Sequence, residues 1–210
     1  MSRRTLALLV AVAGVLQAAN AQQGASAHQI STFTAADGAF RFSYPSGLQV
    51  CAGGKIQPCI YSYIPVCEQD ALACVVYPEK EFADTNFGAA SFQVREILRE
   101  GNIPPTNADE CVTPYPNDQT RFLISARHPA EVIGGVSFIH GTSDGVATGH
   151  AIKGNLYRAF HKQRCFELSV SETWTDSNNF EPPLKTLSPP QQKQLDETMS
   201  TILHSFSFSD

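Results

Sequence analysis

The stretch Asp37-Gly38-Ala39-Phe40-Arg41-Phe42-Ser43-Tyr44-Pro45 decides the fold class. Phe40, Phe42 and Tyr44 alternate with polar or small residues, the two-residue period of a strand with one buried face. Pro45 ends the strand, because proline has no N–H for the next rung of a ladder. The same period recurs along the chain. Residues 61–66 and 73–77 read as two strands joined by Glu68-Gln69-Asp70, and Ala90, Phe92, Val94, Glu96 and Leu98 alternate in the same way. Phe87, Val94, Ile97 and Leu98 also fit a helical face, but a strand is the expectation there.

Four prolines, Pro104, Pro105, Pro114 and Pro116, make residues 102–118 an irregular connection. Within it residues 106–112 suit a short helix, with Thr106 or Asn107 as its cap and Asp109 and Glu110 near its positive end. Residues 122–126 and 132–139 are expected as strands. Gly141-Thr142-Ser143-Asp144-Gly145 reads as a tight turn into residues 146–152, because Asp-Gly supplies the backbone geometry that hairpins prefer. Residues 156–161 and 165–174 form the strongest hairpin signal, turning at Lys162-Gln163 with Phe166, Leu168 and Val170 on one face. The last element is a helix. Ser188 suits its cap, Pro189 and Pro190 fit its first turn, and Leu195, Met199, Ile202 and Leu203 recur at helical spacing before a terminal strand, Ser205-Phe206-Ser207-Phe208. Consecutive strands with few helices predict an α+β fold, a mostly antiparallel sheet flanked by helices.

The first residues address the compartment. Arg3 and Arg4, the apolar run Leu6 to Leu16 and the small-residue site Ala19-Asn20-Ala21 have the order of a secretory signal peptide. The Arg3-Arg4 pair also resembles a twin-arginine opening, but cysteines that must oxidise after export favour the unfolded route. The expected organisation is a leader over 1–21, a flexible polar tail over 22–36 and a single α+β domain over 37–210, exported to the periplasm or the extracellular space. The formal net charge is −5, and losing Arg3 and Arg4 makes it more negative. With no block of lysine and arginine, nucleic acid is disfavoured as a partner. After the leader no apolar run approaches the roughly 18 to 20 residues of a spanning helix.

Six cysteines, Cys51, Cys59, Cys67, Cys74, Cys111 and Cys165, form no C-x-x-C pair. Zinc ligands usually stand two to four residues apart, so a disulfide framework is the reading. Six cysteines allow 15 connectivities. The crowding of four of them favours two local bridges, Cys51–Cys59 and Cys67–Cys74, and one long bridge, Cys111–Cys165.

The opening DGAFRFSYPSGL at residues 37–48, together with the closing amphipathic helix that runs into SFSF, resembles the PsbP-like fold family. That family takes its name from an extrinsic protein of photosystem II and includes many exported bacterial domains. The resemblance implies an α/β/α sandwich on an antiparallel sheet. The cysteine-bearing middle departs from the family pattern, the shared motifs are packing motifs, and no functional residue is carried over.

Several residues invite a chemical reading. Gly141-Thr142-Ser143-Asp144-Gly145 matches the G-x-S-x-G nucleophile elbow, which needs a strand before it and a helix after it; the expected returning strand makes a turn the better reading of Ser143. His140 and His150 flank that turn, where with Asp144 they suit a transition metal, although no diagnostic histidine spacing is present. Cleavage after Ala27 would expose His28 as a copper-chelating amino terminus, but that site lies far beyond the apolar core of the leader. Lys153, Arg158, His161, Lys162 and Arg164 make one hairpin locally basic, a pattern that solvated strand faces share. Trp174, Tyr115 and Tyr157 suit a carbohydrate or peptide groove.

The resulting expectation is an exported, non-enzymatic binding or accessory domain with no cofactor, taking a small-molecule, carbohydrate or protein ligand. The alternatives are a secreted hydrolase or metalloenzyme built on Ser143 or on His140 and His150, and a structural partner in a cell-envelope assembly. The intact mass of the secreted protein tests the leader and the cysteines together. An amino terminus at Gln22, a six-proton gain on reduction and no bound metal are the expected result; a terminus at His28, or a retained copper or zinc ion, is the contrary one.

Overall fold

A computed structural model describes residues 29–52, 67–98, 103–112, 124–147 and 149–209. Ten strands and two α-helices are formed among them: β1 Ile30–Thr34, β2 Phe40–Pro45, β3 Gln49–Ala52, β4 Ala73–Pro78, β5 Phe87–Glu96, α1 Ala108–Val112, β6 Ile124–Ile133, β7 Val136–Ala147, β8 His150–His161, β9 Arg164–Thr175, α2 Pro189–His204 and β10 Ser207–Phe208. Seven strands make one antiparallel sheet in the order β3-β4-β5-β9-β8-β7-β6, and a second antiparallel sheet has the order β1-β2-β10. The fold is α+β.

The strand period sorts side chains between the two faces of the large sheet. On β9, Phe166, Leu168 and Val170 point to one face and Cys165, Glu167, Ser169, Ser171 and Thr173 to the other. The first face is dry and aromatic. The small sheet and α2 cover it, Phe42 meeting Phe92 at 5.1 Å between ring centroids and Phe40 meeting Phe206 at 5.6 Å and Phe166 at 6.3 Å. Leu195, Met199, Ile202 and Leu203 complete this core from α2. Each such side chain, fully buried, contributes about 1.5–3 kcal/mol.

α2 begins as its sequence predicts. The Gln191 side chain accepts from the Ser188 backbone N–H at 2.9 Å, and Pro189 and Pro190 need no N–H partner at the first turn. Asn107 caps α1, its Oδ1 accepting from the Glu110 N–H at 2.9 Å. The Cys111–Cys165 bridge ties α1 to β9 on the face opposite α2, with Ile97 and Phe160 packed around it. Cys67 is bonded to Cys74 on β4. Cys51 is disulfide-bonded; Cys59, like the strand expected over 61–66, lies outside the described residues.

Three expectations are corrected. The tail expected over 22–36 supplies β1, which pairs with Arg41 to Pro45 of β2 and stacks Phe33 on Phe42 at 5.1 Å; one aromatic at the right register outweighs the polar residues around it. The turn expected at Gly141–Gly145 is the middle of β7, where Thr142, Ser143 and Asp144 pair with Asn155, Gly154 and Lys153. Tertiary pairing overrides the local Asp-Gly preference there, and the chain reverses instead around Gly149, at φ +76°. The strands expected over 122–126 and 132–139 are shifted as well. β6 and β7 turn at Gly134-Gly135, both at positive φ (+57° and +81°), the two-residue hairpin geometry that glycine supplies most cheaply.

One ion-pair cluster joins the two sheets. Arg164 on β9 donates to Asp37 before β2 at 2.7 Å and to Glu96 on β5 at 2.7 Å. The Ala39 N–H and the Arg164 guanidinium together hold the Asp37 carboxyl below the ordinary carboxylate range.

The bridges differ in the chain they enclose, 54 residues apart in sequence against seven. Replacing Cys111 and Cys165 with serine is expected to cost about 4 kcal/mol and replacing Cys67 and Cys74 about 2.5 kcal/mol in the chain-entropy account. Urea unfolding midpoints measure both, and equal losses would contradict that account.

Candidate functional site

Trp174, the only tryptophan of the chain, stands near the end of β9 on the face that α2 covers, beyond the aromatic core. Its cross-strand partner on β8 is Ala151, too small to cover an indole. Lys153, two residues along β8, places its ammonium 5.7 Å from the indole centroid and 3.2 Å from Glu172 Oε2. Gln192, in the first turns of α2, reaches Glu172 at 3.3 Å and Asp196 at 2.9 Å. Asn86, just before β5, is held on two sides: its N–H donates to the Lys185 carbonyl at 2.7 Å, and its Nδ2 to the Thr175 carbonyl at 3.0 Å.

Trp174 and Asn86 are shared by two adjoining hollows. One, of about 230 Å³, is bordered by Lys153, Glu172, Thr186, Leu187 and Gln192. The other, of about 480 Å³, is bordered by Val146, Gly149, His150, Ala151, Asp176 and Ser177. His150 Nδ1 lies 3.1 Å from Thr175 Oγ1, and Asp176 Oδ1 accepts from the N–H and the side chain of Asn178 at 3.0 Å. The result is an open groove with an indole between its halves and amide, carboxylate, ammonium and imidazole groups around it. A larger cleft of about 680 Å³ lies among Phe33, Phe40, Ala52, Asp70 and Leu72, but its floor is mostly apolar. Convergent polar groups around an aromatic surface are the stronger mark of a ligand site.

The other candidate residues are placed apart from this groove and from one another. Ser143 is buried in β7, flanked by Gly154 and on the face away from α2. No helix follows it, so the nucleophile elbow is not formed, and among the described residues its hydroxyl has no hydrogen-bond partner. His140 pairs with Tyr157, whereas His150 pairs with Ala147. Seven residues of extended β8 separate those positions, about 23 Å at 3.3 Å per residue, and the two histidines do not share a metal site. Among the described residues no group of three or more histidine, cysteine or acidic side chains is arranged to hold an ion. His28 and Tyr115 lie outside the described residues.

His140 belongs to a different cluster at the β6 edge. Its ring stacks on Tyr157 at 4.5 Å and lies 4.7 Å from His128. Glu131 meets His204 of α2 at 2.9 Å. Burial, with Glu131 nearby, pushes the Tyr157 hydroxyl up to about 12. Tyr157 pairs with Leu168, six residues from Trp174 along β9, so the two aromatics line different places.

Three cations of the basic hairpin, Lys153, Arg158 and Arg164, meet carboxylates. Lys153 meets Glu172, Arg164 meets Asp37 and Glu96, and Lys162 donates to the Ser209 carbonyl at 3.1 Å. Arg158 is buried against Glu167 at 2.7 Å, and Arg95 approaches the same carboxylate at 3.5 Å while holding Asp70 at 2.9 Å. Sequence reading grouped Trp174 with Tyr115 and Tyr157 as candidates for a groove. It missed Asn86, Gln192 and Asp176, because two loops and a helix start, distant in sequence, converge on one indole only after folding.

No family model and no curated protein matches the chain. Solved structures do resemble it. LpqN of Mycobacterium tuberculosis, a protein involved in cell envelope biogenesis, is 11% identical with a TM-score of 0.45, over 87% of this chain and 91% of that one. Cyanobacterial PsbP of Synechocystis is 12% identical with a TM-score of 0.39, over 89% and 96%. The Saccharomyces cerevisiae Ran-binding protein Mog1p is 13% identical with a TM-score of 0.44, over 87% and 97%. A PsbP structure is thus among those this chain is similar to, and the likeness is one of fold.

Ser143 and Glu167, both buried on the same face, should respond very unequally to substitution. Ser143→Ala removes a hydroxyl that has no partner among the described residues and is expected to change stability by less than about 1 kcal/mol. Glu167→Gln removes the buried carboxylate charge that faces Arg158 at 2.7 Å and Arg95 at 3.5 Å and is expected to cost about 3–5 kcal/mol. Chemical denaturation of the two variants checks the pair, and a loss above about 2 kcal/mol for Ser143→Ala would show that its hydroxyl is engaged.

Proposed function

We propose that this protein is an exported, non-enzymatic binding domain whose ligand site is the groove around Trp174. The observation that carries the reading is the groove itself: one indole at the junction of two open hollows, ringed by fixed polar side chains. Such a surface holds a ligand by stacking and hydrogen bonds. Asn86 and Gln192 are anchored to backbone or side-chain partners, so little ordering remains to be done when a ligand arrives.

Export is supported by the leader-like residues 1–21 and by cysteines that are bonded rather than free among the described residues. Among those residues no helix is long and apolar enough to cross a membrane. The working organisation is a leader over 1–21 followed by a single domain, with its first strand starting at Ile30. The hydrolase alternative is weakened by the burial of Ser143 within a sheet, and the metalloenzyme alternative by the separation of His140 from His150.

The single tryptophan makes the proposal directly measurable, because its emission reports this groove alone. Neutral trisaccharides, octanoate and trialanine, titrated separately into the secreted protein, sample three ligand chemistries. A saturable emission change with at least one of them, unaltered by Ser143→Ala and abolished in calorimetry by Trp174→Ala, is the expected result. Turnover of any probe that is lost in Ser143→Ala would overturn the reading in favour of a hydrolase.

A further inference from the structure

We infer that the groove takes a neutral oligosaccharide, at least two sugar rings long. The inference rests on the reading of the Trp174 groove as a ligand site and adds the class of ligand. A pyranose ring carries an apolar C–H face and a rim of hydroxyls that both donate and accept. The groove offers the complement of both. The indole of Trp174 supplies a flat apolar surface, and around it stand acceptors on Glu172 and Asp176, amides on Asn86 and Gln192, the imidazole of His150 and the hydroxyl of Ser177. Two hollows of about 480 and 230 Å³ meet at the same indole and the same asparagine, which suits rings in sequence across Trp174 rather than one isolated sugar.

Other ligand chemistries fit less well. An anion would face Glu172 and Asp176, and the nearest cation, Lys153, is already held by Glu172 at 3.2 Å. A cationic ligand would meet the Lys153 ammonium, which stands over the indole at 5.7 Å. An acyl chain would cover Glu172, Asp176, Asn86 and Gln192 and offer nothing to whichever of their polar positions are not already held by protein partners, a cost of about 1–3 kcal/mol for a polar group left unpaired. A peptide in extended form binds by adding a strand to an open edge. Here β8 lies between β7 and β9, and β9 between β5 and β8, so both strands that carry the groove have their ladders closed. A neutral polyol exchanges water hydrogen bonds for protein ones and demands neither a charge nor an edge.

The test uses the full secreted protein and isothermal calorimetry beside Trp174 emission, with maltotriose, cellotriose, triacetylchitotriose and xylotriose as probes and octanoate and trialanine as controls. Saturable binding of at least one trisaccharide, at least tenfold weaker for its monosaccharide, is expected. Trp174→Phe should keep the fold, judged by its melting temperature, and weaken that binding at least fivefold. Gln192→Ala tests the polar rim separately and should weaken it at least threefold. Preferential binding of octanoate or trialanine at Trp174 would overturn the carbohydrate inference while leaving the binding groove intact. Binding of none of the six probes by either method would overturn both.

Discussion

The register of β8 against β9 is the constraint on which the rest of this structure depends. Twelve residue pairs run from His150↔Thr175 to His161↔Arg164, and β5 reads the same strand from its other side. Because side chains alternate with a period of two, a slip of one residue would turn Phe166, Leu168 and Val170 out of the core and drive Glu167 into it. The turn at Lys162-Gln163 pins the register, both residues taking left-handed backbone angles (+47° and +63°). It does so with two ordinary side chains in a conformation that costs roughly 1–2 kcal/mol each, a cost that the extent of the pairing outweighs.

From that register the two faces acquire opposite chemistry. The face under α2 is a continuous aromatic core from Phe33 to Phe208. The other face buries Glu167, Arg158, Ser91, Gln93, Ser143, Ser169, Ser171 and Thr173. Gly154 permits this arrangement, since a Cβ there would lie 2.9 Å from Ser171 Oγ and 3.3 Å from Ser143 Oγ. Buried ions are weak sources of net stability but are costly to leave half-paired. The Arg95–Glu167–Arg158 cluster therefore holds the sheet to one arrangement more than it strengthens it.

The groove lies where the aromatic core ends. β9 continues past Val170 to Glu172 and Trp174 on the same face, while α2 begins at Pro189 beside them. The strap leading into α2 is fixed to the mouth of β5 through the Thr85–Lys185 bridge and the Asn86 N–H. An indole that would otherwise have joined the core is thus left half-buried at an opening, with the helix start and two loops supplying the polar groups around it.

Much of the fold was legible in the sequence, and the limit is instructive. The alternation at Phe40, Phe42 and Tyr44, the hairpin at Lys162-Gln163, the capped α2 and the α+β class all follow from local period and local capping, which neighbouring residues set between themselves. β1, the length of β7 and the turn at Gly134-Gly135 were misread, because strands are chosen by partners distant in sequence: Phe33 by Phe42, Ser143 by Gly154. The same reason governs the site. That Trp174 is the only tryptophan is written in the chain, and so is the poor context of Ser143 for an elbow. That Asn86, His150, Asp176 and Gln192 gather around that indole, while His140 and His150 stand far apart on one sheet, was decided only by tertiary structure, since strand register and helix placement convert distance along the chain into distance in space.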